Sequence, residues 1–329
     1  MLTLCIAAMA QDPRGTIVGT VTDATGAAIM GAEVRAINNA TGVVASARTN
    51  EAGRFALPFQ IVGMYTLSTE LQGFKRSSRD GVQVRIGETT EINISLQIGE
   101  VTETVEVTAA APVLDTTTPS LGQVLDERRL VELPTLAGNP FELALLTPGV
   151  VNGTNMRDRK PAFNNGSSQV STDGSGTYNN EFQIDGVSNT FAAGGNARAA
   201  ISPPQTAIQE FKMQTSTYDA SIGHTLGSVM NVTTKSGTNQ LHGELHWFVR
   251  NNAFDAPDFF SNAKGTKEPV YQDNRYGASA GGPVFIPKYY DGRNKTFWFY
   301  AWEANKWIVP GNFTGTVPTA LQRQGDVGA

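Results

Sequence analysis

The sequence predicts a mainly β chain in three successive parts: a small β-sandwich, an α+β domain, and the opening strands of an incomplete transmembrane β-barrel. Three observations predict it. Short runs of period-two alternation recur at regular spacing from about residue 14 to 98. Charged residues make up only 17 % of the 329 residues, while 34 glycines punctuate the chain at turns. Beyond residue 240, runs of about ten residues set an apolar face against a mostly polar one, which is the length and pattern of a membrane strand.

The remaining bulk properties exclude several function classes. The net charge is −5, so there is no basic excess to bind nucleic acid. One cysteine, Cys5, rules out a disulfide framework and a multi-cysteine zinc site. Residues 1–10 read as a signal-peptide remnant, with Ala8-Met9-Ala10 as a cleavage site. The apolar run is short and has no basic flank, so either the true start lies upstream or the peptide is vestigial. Leu4 stands where a lipobox at Cys5 would need a small residue. No later run has the roughly 18 consecutive apolar residues of a membrane helix, so a membrane role needs strands.

In residues 14–98, Ile17, Gly19 and Val21 share one face of the first strand, and Asp23 to Gly26 form a turn. Further strands are expected near 32–38, 43–49, 54–57, 64–71, 82–86 and 90–98. Tyr65, Leu67, Thr69 and Leu71 share a face in the fifth; Ile92, Ile94, Leu96 and Ile98 point inward in the last. Such spacing predicts an antiparallel sandwich. The ordered motifs GTVTDATGAAIMGAEV and TNEAGRFALPFQIVGMYTLSTELQGFKR resemble the carboxypeptidase regulatory-like domain. The resemblance implies a transthyretin-like fold grouped with carbohydrate-binding-like domains. The segment has no tryptophan platform, and Phe55, Phe59, Tyr65 and Phe74 read as core. It also has no histidine to hold a catalytic zinc.

Residues 99–118 are a linker, GEVTETVEVTAAA and then Pro112. Thr104, Val105, Glu106 and Val107 alternate and suit an extended peptide that adds to the sheet edge of a partner. The other reading is that Val101, Val105 and Val107 end the sandwich or begin the next sheet.

Residues 119–238 read as α+β. A short helix over 126–132 stops before Pro134. Asn139-Pro140-Phe141-Glu142 opens a second helix, with Asn as cap and Pro in the first turn, running to Leu146. Residues 152–180 are expected to be loop. Strands follow at 181–188, with a turn at Asp185-Gly186, at 207–215, and before Lys235-Ser-Gly-Thr-Asn239. Asp185 reads as a turn residue rather than a catalytic or metal-binding carboxylate.

From residue 239 onward, Leu241, Gly243, Leu245, Trp247 and Val249 face one side and His242, Glu244, His246, Phe248 and Arg250 the other. A long polar loop over 251–274, a strand over 275–284, and an aromatic-dense strand over 296–308 follow. His242-Gly-Glu-Leu-His246 is not a zinc motif: its carboxylate is misplaced and the alternation argues strand, so these side chains read as lumen polarity. Lys235-Ser-Gly lacks the spacing of a phosphate loop.

LPTLAGNPFELALLTPGV, FQIDGVSNT, IQEFKMQTSTYDASIG and GSVMNVTTKSGTN occur in the order of the plug of TonB-dependent outer-membrane receptors of the Oar-like type. NRYGASAGGPVF and YYDGRNKTFWFYAWEA resemble the opening of their barrel. Gly227-Ser228 departs from the paired glycines usual before the last plug strand. The resemblance implies a plug at 119–238, a barrel start at 239–329, and a candidate TonB box at Thr104, Val105, Glu106 and Val107. A family barrel has about 22 strands, so the expectation is an N-terminal part of a longer protein.

The implied function is uptake of a large solute (sugar or oligosaccharide, siderophore, or peptide) across the outer membrane of a Gram-negative bacterium, by TonB-driven plug movement. The implied partners are TonB, outer-membrane lipid and an unknown solute that could be carbohydrate; the sandwich would face the periplasm. No cofactor, metal or catalytic set is expected, and no enzyme activity. The alternative is a secreted or surface carbohydrate-binding-like module without transport. Burial of Trp247, Trp298 and Trp302 in one core would favour that alternative.

Overall fold

The computed structural model describes residues 14–99, 104–108, 122–133, 139–152, 170–193, 196–215, 225–256, 259–265, 270–308 and 317–325. The expected signal remnant at 1–10 lies outside them. The chain forms two compact units, residues 1–244 with 279–302, and residues 245–278 with 303–329.

The first part is a two-sheet sandwich. Its strands are β1 (Gly15–Asp23), β2 (Glu33–Asn38), β3 (Val44–Arg48), β4 (Arg54–Gln60), β5 (Gly63–Glu70), β6 (Arg76–Val84), β7 (Thr89–Glu91), β8 (Ile94–Leu96) and β9 (Thr104–Thr108). One sheet is ordered β3-β2-β5-β6-β9; the other is β4-β1-β7, with β8 also on β1. Alternation delivers the core: Ile17, Val21, Val34, Leu67, Val84 and Ile92 are fully buried between the sheets.

Four expectations are corrected. The sandwich is mixed rather than antiparallel, because β7 and β8 both run parallel to β1 and β9 runs parallel to β6. The last predicted strand is two, split where Asn93 turns its side chain onto β1: its Oδ1 accepts from the Thr20 N–H at 3.1 Å and the Thr20 hydroxyl at 2.7 Å. Ile98 lies past that strand and is 80 % exposed rather than inward. Phe59 is 58 % exposed rather than core. Pro58 and Phe59 together oppose Thr16 in a β-bulge, which turns the Phe59 backbone to φ 62°. The Arg14 guanidinium lies 4.9 Å above its ring.

Strand β6 begins six residues earlier than expected. The strand expected over 82–86 continues back through Arg79-Asp80-Gly81 as a bulge, with Gly81 at φ 75° opposite the Tyr65–Leu67 segment of β5.

The central part is a five-stranded sheet ordered β10-β17-β18-β13-β14. Its strands are β10 (Gly122–Asp126), β13 (Glu181–Ile184), β14 (Val187–Ser188), β17 (Ile208–Gln214) and β18 (Val229–Thr234). Two small hairpins accompany it, β11 (Val150–Asn152) with β12 (Val170–Thr172), and β15 (Thr190–Ala193) with β16 (Asn196–Ala199). β12 falls inside the stretch expected to be loop. Helix α1 (Glu127–Glu132) is capped by Asp126, which accepts from the Arg129 N–H at 3.0 Å. Pro140–Leu146 is a 3₁₀ helix, capped by Asn139 on the Phe141 N–H. Phe141 is fully buried, edge-on to Phe182 at 5.2 Å and to Phe211 at 6.3 Å.

Three long strands, β19 (His242–Asn251), β20 (Gln272–Pro283) and β23 (Phe297–Ile308), form a sheet in that order. β21 (Phe285–Ile286) and β22 (Tyr290–Asp291) make the tip hairpin. A one-turn 3₁₀ helix and a short α-helix, Phe259–Ala263, interrupt what was expected to be polar loop.

Candidate functional site

Two features stand out around the candidate partner-binding segment. The first is the segment itself. Thr104, Val105, Glu106 and Val107 lie on β9, which the structure places in parallel on β6, pairing Thr104 with Arg76 and Thr108 with Asp80. This is the arrangement expected if these residues end the sandwich. Among the described residues, β9 pairs with Arg76–Asp80, the half of β6 that precedes the Gly81 bulge.

The second feature is the join between the sandwich and the central sheet. The β6–β7 turn carries Ile86, whose N–H donates to Glu210 Oε2 at 2.8 Å. Lys212 Nζ donates to the carbonyls of Ile86 at 3.0 Å and Gly87 at 3.3 Å. Glu210 and Lys212 are both on β17, two apart and therefore on one face of it. Gln209 Nε2 reaches the Val62 carbonyl in the β4–β5 turn at 3.2 Å. Glu210 is only 2 % exposed. Burial pushes its carboxyl up to about 7, against the smaller opposing pull of the Ile86 N–H, Arg85 and Lys212. No sequence motif pointed to Glu210, since a lone glutamate in an alternating strand reads as solvent-facing.

A second join involves Asn239, which closes the Lys-Ser-Gly-Thr-Asn turn. Its N–H donates to the Ala40 carbonyl at 3.0 Å and its Nδ2 to Thr41 O at 2.7 Å and Asn294 Oδ1 at 2.6 Å. Gly237 in the same turn has no room for a side chain: a Cβ would strike the Trp298 carbonyl oxygen and lie 2.7 Å from that of Gly282. Gly227 and Ser228 are small for a similar reason. A Cβ on Gly227 would lie 2.6 Å from the Asn179 carbonyl, and Ser228 is fully buried with its N–H and hydroxyl on Asn180 Oδ1.

Burial alternates along β20 and the first half of β23, while β19 is exposed on both faces from Trp247 to Arg250. On β20, Asp273, Arg275 and Ser279 are buried, while Tyr276 between them is exposed. On β19, Leu245, Trp247 and Val249 are exposed, and on β23 Trp298, Tyr300 and Trp302 are. The three tryptophans are 70 %, 40 % and 47 % exposed, so no common core takes them in. His246 Nε2 lies 3.1 Å from Glu303 Oε2, its side chain covered. His242 instead contacts the Gln240 carbonyl through Nδ1 at 3.0 Å. The two histidines are thus engaged separately. Among the described residues, no three His, Cys, Asp or Glu side chains gather as metal ligands. Asp185 accepts from the Thr234 N–H and hydroxyl, both at 2.8 Å, and with Gly186 forms the left-handed turn between β13 and β14. No helix among the described residues is long and apolar enough to cross a membrane, which leaves strand crossing open.

Residues 16–97 match the family model of the carboxypeptidase regulatory-like domain, and residues 233–329 that of an outer membrane beta barrel domain. The TonB-dependent transporter Oar of Myxococcus xanthus is 26 % identical over 262 residues, covering 77 % of this chain. The chain spans 23 % of that relative's length. Among solved structures, the outer membrane transporter YddB of Escherichia coli aligns with a TM-score of 0.39 at 17 % identity, over 50 % of this chain and 24 % of that one. The siderophore receptor PirA of Acinetobacter baumannii gives 0.35 at 19 %, over 51 % and 23 %. At those scores neither likeness bears on the fold. The chain is a homologue of the TonB-dependent transporter Oar, with a carboxypeptidase regulatory-like domain and a match to an outer membrane beta barrel domain after it.

Proposed function

We propose that this chain is the N-terminal part of a TonB-dependent outer-membrane transporter. The observation that carries the reading is the homology to Oar over most of the chain. The exposed tryptophan and leucine face of the long strands supports it, because such a face suits lipid better than water. In this reading residues 119–238 are the plug, residues 239–329 begin the barrel, and the sandwich at 14–98 faces the periplasm. Thr104, Val105, Glu106 and Val107 form the TonB box. TonB pairs with that segment by strand addition and pulls, and the plug rearranges to admit a large solute, whether sugar, siderophore or peptide. The mechanism is strand addition by TonB and rearrangement of the plug; no bond chemistry is assigned to any residue.

The test is photo-crosslinking in living cells, with a photoreactive residue at position 105 of the complete protein. The expected result is outer-membrane fractionation and an adduct with TonB. Recovery of the protein in the soluble periplasm, with no adduct, would favour a secreted binding module instead.

A further inference from the structure

The parallel pairing of β9 on β6 adds something to that reading, on which this inference rests. A strand has two hydrogen-bonding edges, with successive backbone groups pointing alternately to each. The ladder from Thr104 to Thr108 occupies the edge facing β6. Among the described residues β9 is the last strand of its sheet, so its other edge carries no strand. Strand addition by a partner needs only one edge.

The sheet that holds β9 is also tied to the central sheet. β6 runs from its β9-paired half, Arg76–Asp80, through the bulge at Gly81 to Val84, and two residues later to Ile86. There Glu210 and Lys212 of β17 grip the Ile86–Gly87 turn through three hydrogen bonds. The segment is thus connected to the central sheet by a folded route that runs beside the covalent linker.

We infer that the sandwich is a seat for Thr104–Thr108, and that an extended strand of TonB adds to the far edge of β9 without displacing it from β6. The partner then meets a pre-ordered strand and avoids the entropy of ordering a loose peptide. A pull on the seated segment acts on β6, on the Ile86–Gly87 turn and so on β17.

The test locks the seat. Asp80→Cys and Thr108→Cys are introduced into the complete protein with Cys5 replaced by serine; both positions lie outside the four box residues. Register partners on neighbouring strands sit about 4.8 Å apart, within reach of a disulfide. Bridge formation is read by mass, with each single-cysteine variant as control. Affinity for the purified periplasmic domain of TonB is then measured in detergent, oxidised and reduced. The expected result is a near-complete bridge and less than about a threefold change in affinity on oxidation. Absence of the bridge in protein that binds TonB when reduced would overturn the seat. A tenfold or greater loss on oxidation would overturn the shared arrangement and mean that β6 and TonB compete for one edge. No binding by the reduced protein, nor by the parent with Asp80 and Thr108 intact, would sink the box assignment and this inference with it.

Discussion

The sandwich and the long-stranded sheet are written in the same period-two alphabet and place it in opposite ways. In the sandwich, Ile17, Val21, Leu67 and Val84 are covered and the polar residues between them face water. In the long strands, Asp273, Arg275 and Ser279 are covered while Leu245, Trp247, Trp298, Tyr300 and Trp302 stand out. Alternation alone says that a strand has two different faces. It does not say which solvent each face meets. The difference teaches that the length of the run and the aromatic content of its apolar face carry that information. The short sandwich strands pair with a second sheet that covers them, whereas among the described residues the longer strands β19 and β23 leave Leu245 and their tryptophans exposed.

The largest effect should come from the buried side. Phe141→Ala removes the ring that joins Phe182 and Phe211, and should cost about 3–5 kcal/mol of unfolding free energy, read by denaturant titration in detergent. Leu245→Arg tests the opposite side of the comparison. In water an exposed leucine tolerates such a change within about 0.5 kcal/mol. On a lipid-facing strand it should cost about 2–4 kcal/mol near the bilayer midplane. Folding into lipid vesicles measures it, and a neutral result there would remove the lipid reading of that face.

Glu210 gives a smaller, pH-dependent effect. Its carboxyl is raised from 4.5 to about 7 in the fold, so the folded chain holds a proton that the unfolded chain releases between those values. The contribution is full below about pH 4.5 and is lost as pH rises through 7. Glu210→Gln keeps an acceptor for the Ile86 N–H and should flatten that slope, a change of at most about 3 kcal/mol. Thermal melts from pH 5 to 8 read it; an unchanged slope would show that Glu210 is not the titrating group. Glu210→Ala leaves the Ile86 N–H without its acceptor and should destabilise at every pH, by about 1–3 kcal/mol.

The smallest effects are expected on β9, where proline can be used to separate the two edges. Adjacent N–H groups point to opposite edges, so Val105→Pro and Glu106→Pro each remove a donor from a different one. One should weaken pairing to β6 by about 1 kcal/mol, seen as faster amide exchange along Arg76–Asp80. The other should leave that exchange unchanged. Equal effects from both would show that the ladder of β9 is not the parallel one described.

Much of the architecture was legible from residue patterns. The strands near 16–22 and 64–71 follow from alternation, the α1 cap from Asp126, and the turn at Asp185-Gly186 from its Asp-Gly pair. The misses take two forms. The strands expected at 54–57 and 82–86 stop short at Pro58 and Gly81, and the structure carries both through by bulges. The run expected to be continuous over 90–98 is broken at Asn93, whose side chain bonds Thr20 of β1, far away in sequence. Phe59 was misplaced at the first of those bulges.

By itself, then, the sequence determined where the backbone extends, which positions share a face, and the order of the three parts, since all of these follow from local periodicity and turn chemistry. Tertiary structure alone decided that β9 closes the sandwich sheet in parallel on β6, and that Glu210 and Lys212 hold the Ile86–Gly87 turn. The Glu210–Ile86 contact joins residues 124 apart. Local pattern cannot register such a pair: a glutamate in an alternating strand looks the same whether it meets water or the backbone of another sheet.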